Sequence, residues 1–134
     1  MEITRADMRP AQPAPSEWFT GSVWLEELAA AQPPARLQAV RVTFAPGART
    51  FWHSHPRGQA LAIVAGRAWV GAADGTVEQL TAGDTARFAP GERHWHGAAA
   101  DSLMAHIAMQ NADDDGNAAT WGEPVSDEQY QYRP

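Results

Sequence analysis

An all-β fold, a barrel or sandwich of antiparallel strands, is the class this sequence predicts, and three observations predict it. Between Leu37 and Gln110 the chain divides into short stretches of alternating apolar and polar residues. Turn-forming residues, among them Pro46-Gly47, Gly66, Gly75, Gly83 and Pro90-Gly91, separate these stretches at short intervals. Little room is left between them for a helix, so many short strands joined by tight turns are expected. A single-domain jelly-roll barrel is the natural arrangement.

Taken in order, the first twenty residues carry Pro10, Pro13 and Pro15. Proline fixes φ and lacks an amide donor, so an extended arm is expected there, able to add to a sheet of this chain or of a neighbour. The following SVWLEELAAAQPPARL mixes a helix-compatible stretch with the Pro33-Pro34 break, and Trp24 to Ala30 could be strand or helix. In LQAVRVTF, residues 37–44, alternation puts Val40, Val42 and Phe44 on one face, expected to point inward, and Ala39, Arg41 and Thr43 on the other. Further strands are expected over Thr50 to His55, Ala60 to Val64, Ala68 to Ala72, Thr76 to Leu80, Thr85 to Ala89, His94 to Ala98 and Leu103 to Gln110. Beyond Asn111 the composition turns polar, which predicts a loop and then a short helix near Ser126 to Tyr130. The chain thus reads as one domain: an arm and lead-in over 1–36, a barrel core over 37–111 and a tail over 112–134 that packs on the barrel.

Composition narrows the function. The length of 134 residues, 44% hydrophobic and 19% charged, fits one folded core. The net charge of -6 combines ten arginines, no lysine and sixteen acidic groups, with no basic run that could neutralise a row of phosphates, so no nucleic-acid partner is expected. No apolar stretch approaches the roughly 20 residues of a membrane span, and the start has no apolar signal core, so a cytoplasmic protein without a membrane partner is expected. The absence of cysteine excludes disulfides, thiolate catalysis and cysteine-bound zinc. Any metal must be held by histidine, carboxylate or amide groups. The acidic run Asp113-Asp114-Asp115 lacks the alternating pattern of a calcium loop and reads as solvated. Six tryptophans are many for this length and are expected in the barrel core or at an oligomer interface.

The five histidines carry the chemistry. Four form two pairs at i, i+2 spacing, His53 with His55 and His94 with His96, which puts both rings of a pair on one face of a strand. The fifth, His106, shares a face with Met104, Ala108 and Gln110, while Leu103, Ala105, Ile107 and Met109 make the opposite face wholly apolar. The His106 face is therefore expected to line something polar. One His-x-His pair alone would more often be a surface pair or a hydrogen-bonded buried one. Two pairs and a third polar position argue for imidazoles converging on one ion, since strand interiors rarely host unpaired polar rings.

At this point a resemblance becomes specific. The run GARTFWHSHPRGQALAIVAG, Gly47 to Gly66, resembles the first cupin motif, with Gln59 standing where a carboxylate usually follows His-x-His. The run GDTARFAPGERHWHGA, Gly83 to Ala98, resembles the second, with His94 as its histidine and without the asparagine often found near its end. One subgroup, the bacterial manganese-dependent cupin hydroxynitrile lyases, is similar further afield, in EWFTG at 17–21 and SDEQY at 126–130.

The resemblance implies one divalent transition metal held by His53, His55, Gln59 and His94. Manganese is implied first, although iron, cobalt, nickel or zinc would also suit such donors. It further implies a substrate pocket at Phe44, Val40, Val42 and Gln110, with His106, His96 and Thr50 in catalytic roles. His106 is then the first candidate base and His96 the second. The implied reaction splits a cyanohydrin such as mandelonitrile into aldehyde and cyanide, or forms it with R selectivity, in a homo-oligomer that is a dimer or tetramer. Three imidazoles and an amide leave the ion's charge uncompensated, which favours anionic ligands. A metal-dependent dioxygenase, a carbonyl isomerase or decarboxylase, and a non-enzymatic small-molecule binder remain open as rivals.

Overall fold

The structure, a computed structural model, describes residues 1–134. Twelve strands run in order as β1 Gln12–Pro13, β2 Phe19–Thr20, β3 Val23–Ala29, β4 Leu37–Phe44, β5 Arg49–Thr50, β6 His53–Ser54 and β7 Gln59–Ala72. They continue as β8 Val77–Thr81, β9 Thr85–Phe88, β10 His94–Ala98, β11 Met104–Asn111 and β12 Thr120–Trp121, before the short helix α1 Asp127–Gln131. The all-β jelly roll expected from the strand pattern is what the chain forms, as two curled antiparallel layers that share β7. One layer runs β1-β3-β4-β11-β7, with β9 on the far side of β7. The other runs β7-β10-β5-β2, with β8 beside β7 and β6 and β12 continuing from β10.

β7 corrects the expectation of separate strands at Ala60 to Val64 and Ala68 to Ala72. Gly66 has φ 71°, which glycine adopts without strain, and the register to β11 shifts between Ala105 and His106. The strand therefore bends and passes from one layer to the other without reversing. Its first half pairs with β11 and β9, its second with β10 and β8. The expected strand Thr50 to His55 is interrupted for a different reason. The Phe51 amide donates to the Trp18 carbonyl of the arm and the Trp52 amide to the Glu123 carbonyl of the tail, so both leave the ladder.

Trp24 to Ala30, open to either reading in the sequence, belongs almost wholly to strand β3. The arm adds to this chain's own layers at both edges, β1 against β3 and β2 against β5. The expected tail helix starts at Ser126, which caps it. The Ser126 hydroxyl accepts from the Gln129 amide and the Gln129 side chain accepts from the Ser126 amide, a reciprocal cap.

Between the layers Val23, Val42, Phe44, Ala48, Ile63, Ala68, Ala98 and Met104 form the main core, with Val40 packed at its edge. Trp52 and Trp95 lie elsewhere: with Val125 and Tyr130 they form a second cluster beneath the tail, on the outer side of β10. The inward face of β11 sets the polar His106 and Gln110 among the core residues Met104 and Ala108. Its other face carries Ala105, buried, and Ile107 and Met109, partly buried, with Leu103 half exposed just before the strand. No helix is long and apolar enough to cross a membrane.

Candidate metal centre

The register explains which side chains meet. β4, β11 and β7 set Gln38 opposite Gln110 and Gln110 opposite Gln59, then Val42 opposite His106 and His106 opposite Ile63. In the other layer β10 sets His94 opposite His53. All five imidazoles are buried, with His94 and His106 wholly so. His53, His94 and His96 offer nitrogen atoms that lie within 4.8 Å of one another. His55 falls outside that set, with its ring centroid 5.0 Å from that of His53 and 5.5 Å from that of His94.

Hydrogen bonding sorts these rings into two kinds. Three of them spend Nδ1 on a backbone carbonyl: His53 on Phe51 at 2.9 Å, His55 on Ala118 at 2.7 Å and His94 on Glu92 at 2.8 Å. A carbonyl only accepts, so Nδ1 carries the proton and Nε2 is left as a lone pair, the arrangement that orients a metal-binding histidine. The fourth, His96, has its Nδ1 3.0 Å from Nε2 of His106 instead. On this ground His55 is better prepared than His96 to act as a donor beside His53 and His94, although the nitrogen atoms that lie nearest one another are those of His53, His94 and His96.

Gln59 supplies the decisive contact. Its Oε1 lies 3.1 Å from Nε2 of His94, while its Nε2 donates to Oε1 of Gln110 at 3.2 Å. Two lone pairs, one on oxygen and one on nitrogen, thus face each other in a buried space. His55 Nε2 is likewise buried without any partner. Unpaired acceptors in a water-poor interior are costly, and a shared cation relieves both. The residues therefore fit a single divalent transition ion bound by three imidazole nitrogens and one amide oxygen, a set with no net charge.

Burial keeps the imidazoles neutral, as metal binding requires. Desolvation pushes His94 and His106 down to about 4 and lowers His55 as well. It holds His53 and His96 well below the usual imidazole range, with the neighbouring His94 adding to the effect on His53 and His106 to that on His96.

Thr50 is buried, and its Oγ1 accepts from the backbone N–H of His96 at 3.1 Å. Phe44 packs its ring 5.3 Å from that of His106 and 6.2 Å from that of His96. Val42 is buried beside His106. Val40 faces a wide cavity of about 870 Å³ beneath the N-terminal arm, shared with Leu25, Glu27 and Arg9. Gln110 engages Gln59 on one side and Gln38 on the other, so its amide is already occupied.

Two contacts escaped the sequence reading. Phe88 stacks on His94 at 3.6 Å with planes 7° apart, and Trp121 stacks on His53 at 4.5 Å. Phe88 carried a usable signal, since alternation along β9 places it inward opposite Gln59. Trp121 had none, because β12 meets β6 from far along the chain.

Comparison with known proteins agrees with this architecture. The Cupin domain family matches residues 40–109. An (R)-mandelonitrile lyase of Granulicella tundricola is 47% identical over 131 residues, covering 98% of this chain and 99% of that protein. Among solved structures, a cupin-like protein from Thermotoga maritima superimposes with TM-score 0.83 at 35% identity, over 89% of this chain and 90% of that one. A cupin 2 conserved barrel domain protein from Rhodopseudomonas palustris shares the fold at TM-score 0.71 and 16% identity, over 84% and 77%. The domain match spans more than half of the chain and contains His53, His55, Gln59 and His94, all on the inner wall of the shared barrel, so this protein belongs to the cupin family.

Proposed function

We propose that this protein is a metal-dependent hydroxynitrile lyase, cleaving a cyanohydrin such as mandelonitrile to an aldehyde and cyanide. The observation that carries the reading is the pairing of an uncharged donor set with an adjacent dyad of buried neutral imidazoles, His96 and His106. Near-complete coverage by a relative named as an (R)-mandelonitrile lyase supports the same chemistry. His53, His55, His94 and Gln59 would hold a divalent ion, with manganese the first expectation, which would supply Lewis acidity toward a substrate oxygen.

The chain's own residues handle the proton and the apolar group. His96 has its Nε2 buried without a partner and stands beside His53 and His94, so it, ahead of His106, is the base for the substrate hydroxyl. As that proton moves to His96 Nε2, the bond to the nitrile carbon breaks, the carbonyl double bond forms and the electron pair leaves with cyanide. His106 Nε2 at His96 Nδ1 steadies the charge that His96 gains. Burial disfavours that charge, so the proton passes readily to the departing cyanide and leaves as hydrogen cyanide. Thr50 fixes β10 through the His96 amide and keeps a hydroxyl proton to donate. Phe44 and Val42 form the apolar wall, with Val40 at its outer edge.

The test is release of cyanide from racemic mandelonitrile by native, metal-stripped and metal-restored protein, beside His53→Ala and a protein-free control. Metal-dependent release that His53→Ala abolishes supports the reading. Bound metal without release above the control overturns it. Oxygen uptake would then favour a dioxygenase, and tight ligand binding without turnover a small-molecule binder.

A further inference from the structure

The inner wall carries three glutamines side by side, one on each of three adjacent strands: Gln38 on β4, Gln110 on β11 and Gln59 on β7. They form a directed row. Gln59 Nε2 donates to Gln110 Oε1 at 3.2 Å, and Gln110 Nε2 donates to Gln38 Oε1 at 3.5 Å. Only in this direction does Gln59 turn its oxygen toward His94.

The direction matters because an amide has two unlike ends. Reversed, Gln59 would present its NH₂ to the lone pair on His94 Nε2, a good hydrogen bond for a metal-free site and a repulsive contact for a cation. A carboxylate in the same place would show oxygen either way and need no such control. With glutamine, something else must select the oxygen, and each amide in the row constrains the next.

We propose that Gln110, backed by Gln38, is the positioning residue that makes Gln59 a metal ligand, by holding its NH₂ away from the centre. This rests on the metal-centre reading above. It reassigns Gln110, whose amide is engaged with its neighbours, from contact with substrate to control of Gln59.

The test is a cycle of variants read by Mn²⁺ affinity, measured from the free-ion electron paramagnetic resonance signal on titration of metal-stripped protein. Gln110→Met removes the acceptor at similar volume and is expected to weaken binding about 10- to 100-fold, the range for losing a group that orients a ligand. Gln38→Met acts one amide further out and weakens it less. In a Gln59→Glu background, where either oxygen serves, Gln110→Met is expected to change affinity less than about twofold. Equal loss in both backgrounds, or no loss in either, overturns the positioning role while leaving the metal reading intact. Absence of Mn²⁺ binding by the unaltered protein would instead remove the metal reading and this proposal with it. Thermal unfolding of each metal-free variant identifies any that does not fold. Should Gln110→Met be one, Gln38→Met in the two backgrounds decides in its place, a loss confined to the Gln59 background supporting the role.

Discussion

Nε2 of His106 lies 3.0 Å from Nδ1 of His96, and each ring buries its other nitrogen without a partner. One hydrogen joins the two rings, so the tautomer of one dictates that of the other. If His96 donates from Nδ1, its Nε2 is free to take a proton. His96→Leu is therefore expected to lower kcat for cyanohydrin cleavage by about 10²- to 10⁴-fold, the range for losing a general base. His106→Leu should cost less, and His106→Asn, whose amide oxygen can still accept from His96, less again. Steady-state kinetics on metal-restored proteins checks the order. A larger loss for His106→Leu than for His96→Leu would make His106 the base, the role that the family resemblance first implies for it.

Acid should weaken the metal-free fold. Each imidazole is held below its ordinary value of about 6.5, chiefly by burial, with His94 and His106 at about 4. Between those values the unfolded chain binds protons that the folded chain refuses. The stability these groups contribute is thus full above about pH 6.5 and is lost as pH falls toward 4. Urea midpoints of metal-free protein should drop between about pH 7.5 and about pH 5, and drop less in His106→Leu. Equal midpoints at the two pH values in the unaltered protein would contradict this.

Gly66→Ala should be severely destabilising. The residue sits at φ 71°, and an added Cβ would fall on the Leu103 carbonyl oxygen. Strain and overlap together are expected to cost at least about 3 kcal/mol, readable as a large fall in Tm. Gly75→Ala, also at positive φ but with open space around it, should cost only about 1 kcal/mol.

The contrast at Gly66 shows where the sequence stops being legible. Local alternation was enough to orient Val42, Phe44, His94, His96 and His106, because each depends only on the pleat of its own strand. Whether Gly66 reverses the chain or bends it depends on the partner strand, and β11 comes nearly forty residues later. Trp52 and Trp95 point outward for a comparable reason, since the cluster that buries them is completed by Val125 and Tyr130 of the tail. The two His-x-His pairs and Gln59 stood out through their motifs, and the structure buries all of them. The carbonyls that fix the ring tautomers, above all Ala118, did not.

Arg49 ties that tail to the strands that carry the candidate metal centre. Its guanidinium is buried, donates to the Val125 carbonyl at 3.1 and 2.9 Å, and stacks over Tyr130 at 4.6 Å. Its contact with the exposed Asp127 adds little. Arg49→Met should cost about 2 to 3 kcal/mol by leaving the Val125 carbonyl unsatisfied. Arg49→Lys should recover only part of this, because an ammonium cannot reproduce the two-pronged contact. Chemical unfolding of the three proteins gives the comparison.

Trp121 offers a direct optical view of the centre. Its ring stacks on His53 with centroids 4.5 Å apart, and Trp18 stacks on Trp121 at 5.2 Å with planes 7° apart. An ion bound at His53 Nε2 would sit one imidazole away from the indole, close enough for a transition ion with a partly filled d shell to quench its emission. Titrating metal-stripped protein with Mn²⁺ should therefore lower tryptophan fluorescence in step with binding. Trp121→Phe keeps a flat ring on His53, so it should bind the ion with similar affinity and lose most of the quench. If the quench survives in Trp121→Phe, the signal comes from another tryptophan, with the neighbouring Trp18 the first to test. If Trp121→Phe binds more than about tenfold more weakly, the indole does more than cover His53, and it joins the carbonyls of Phe51 and Ala118 among the groups that set ligand geometry.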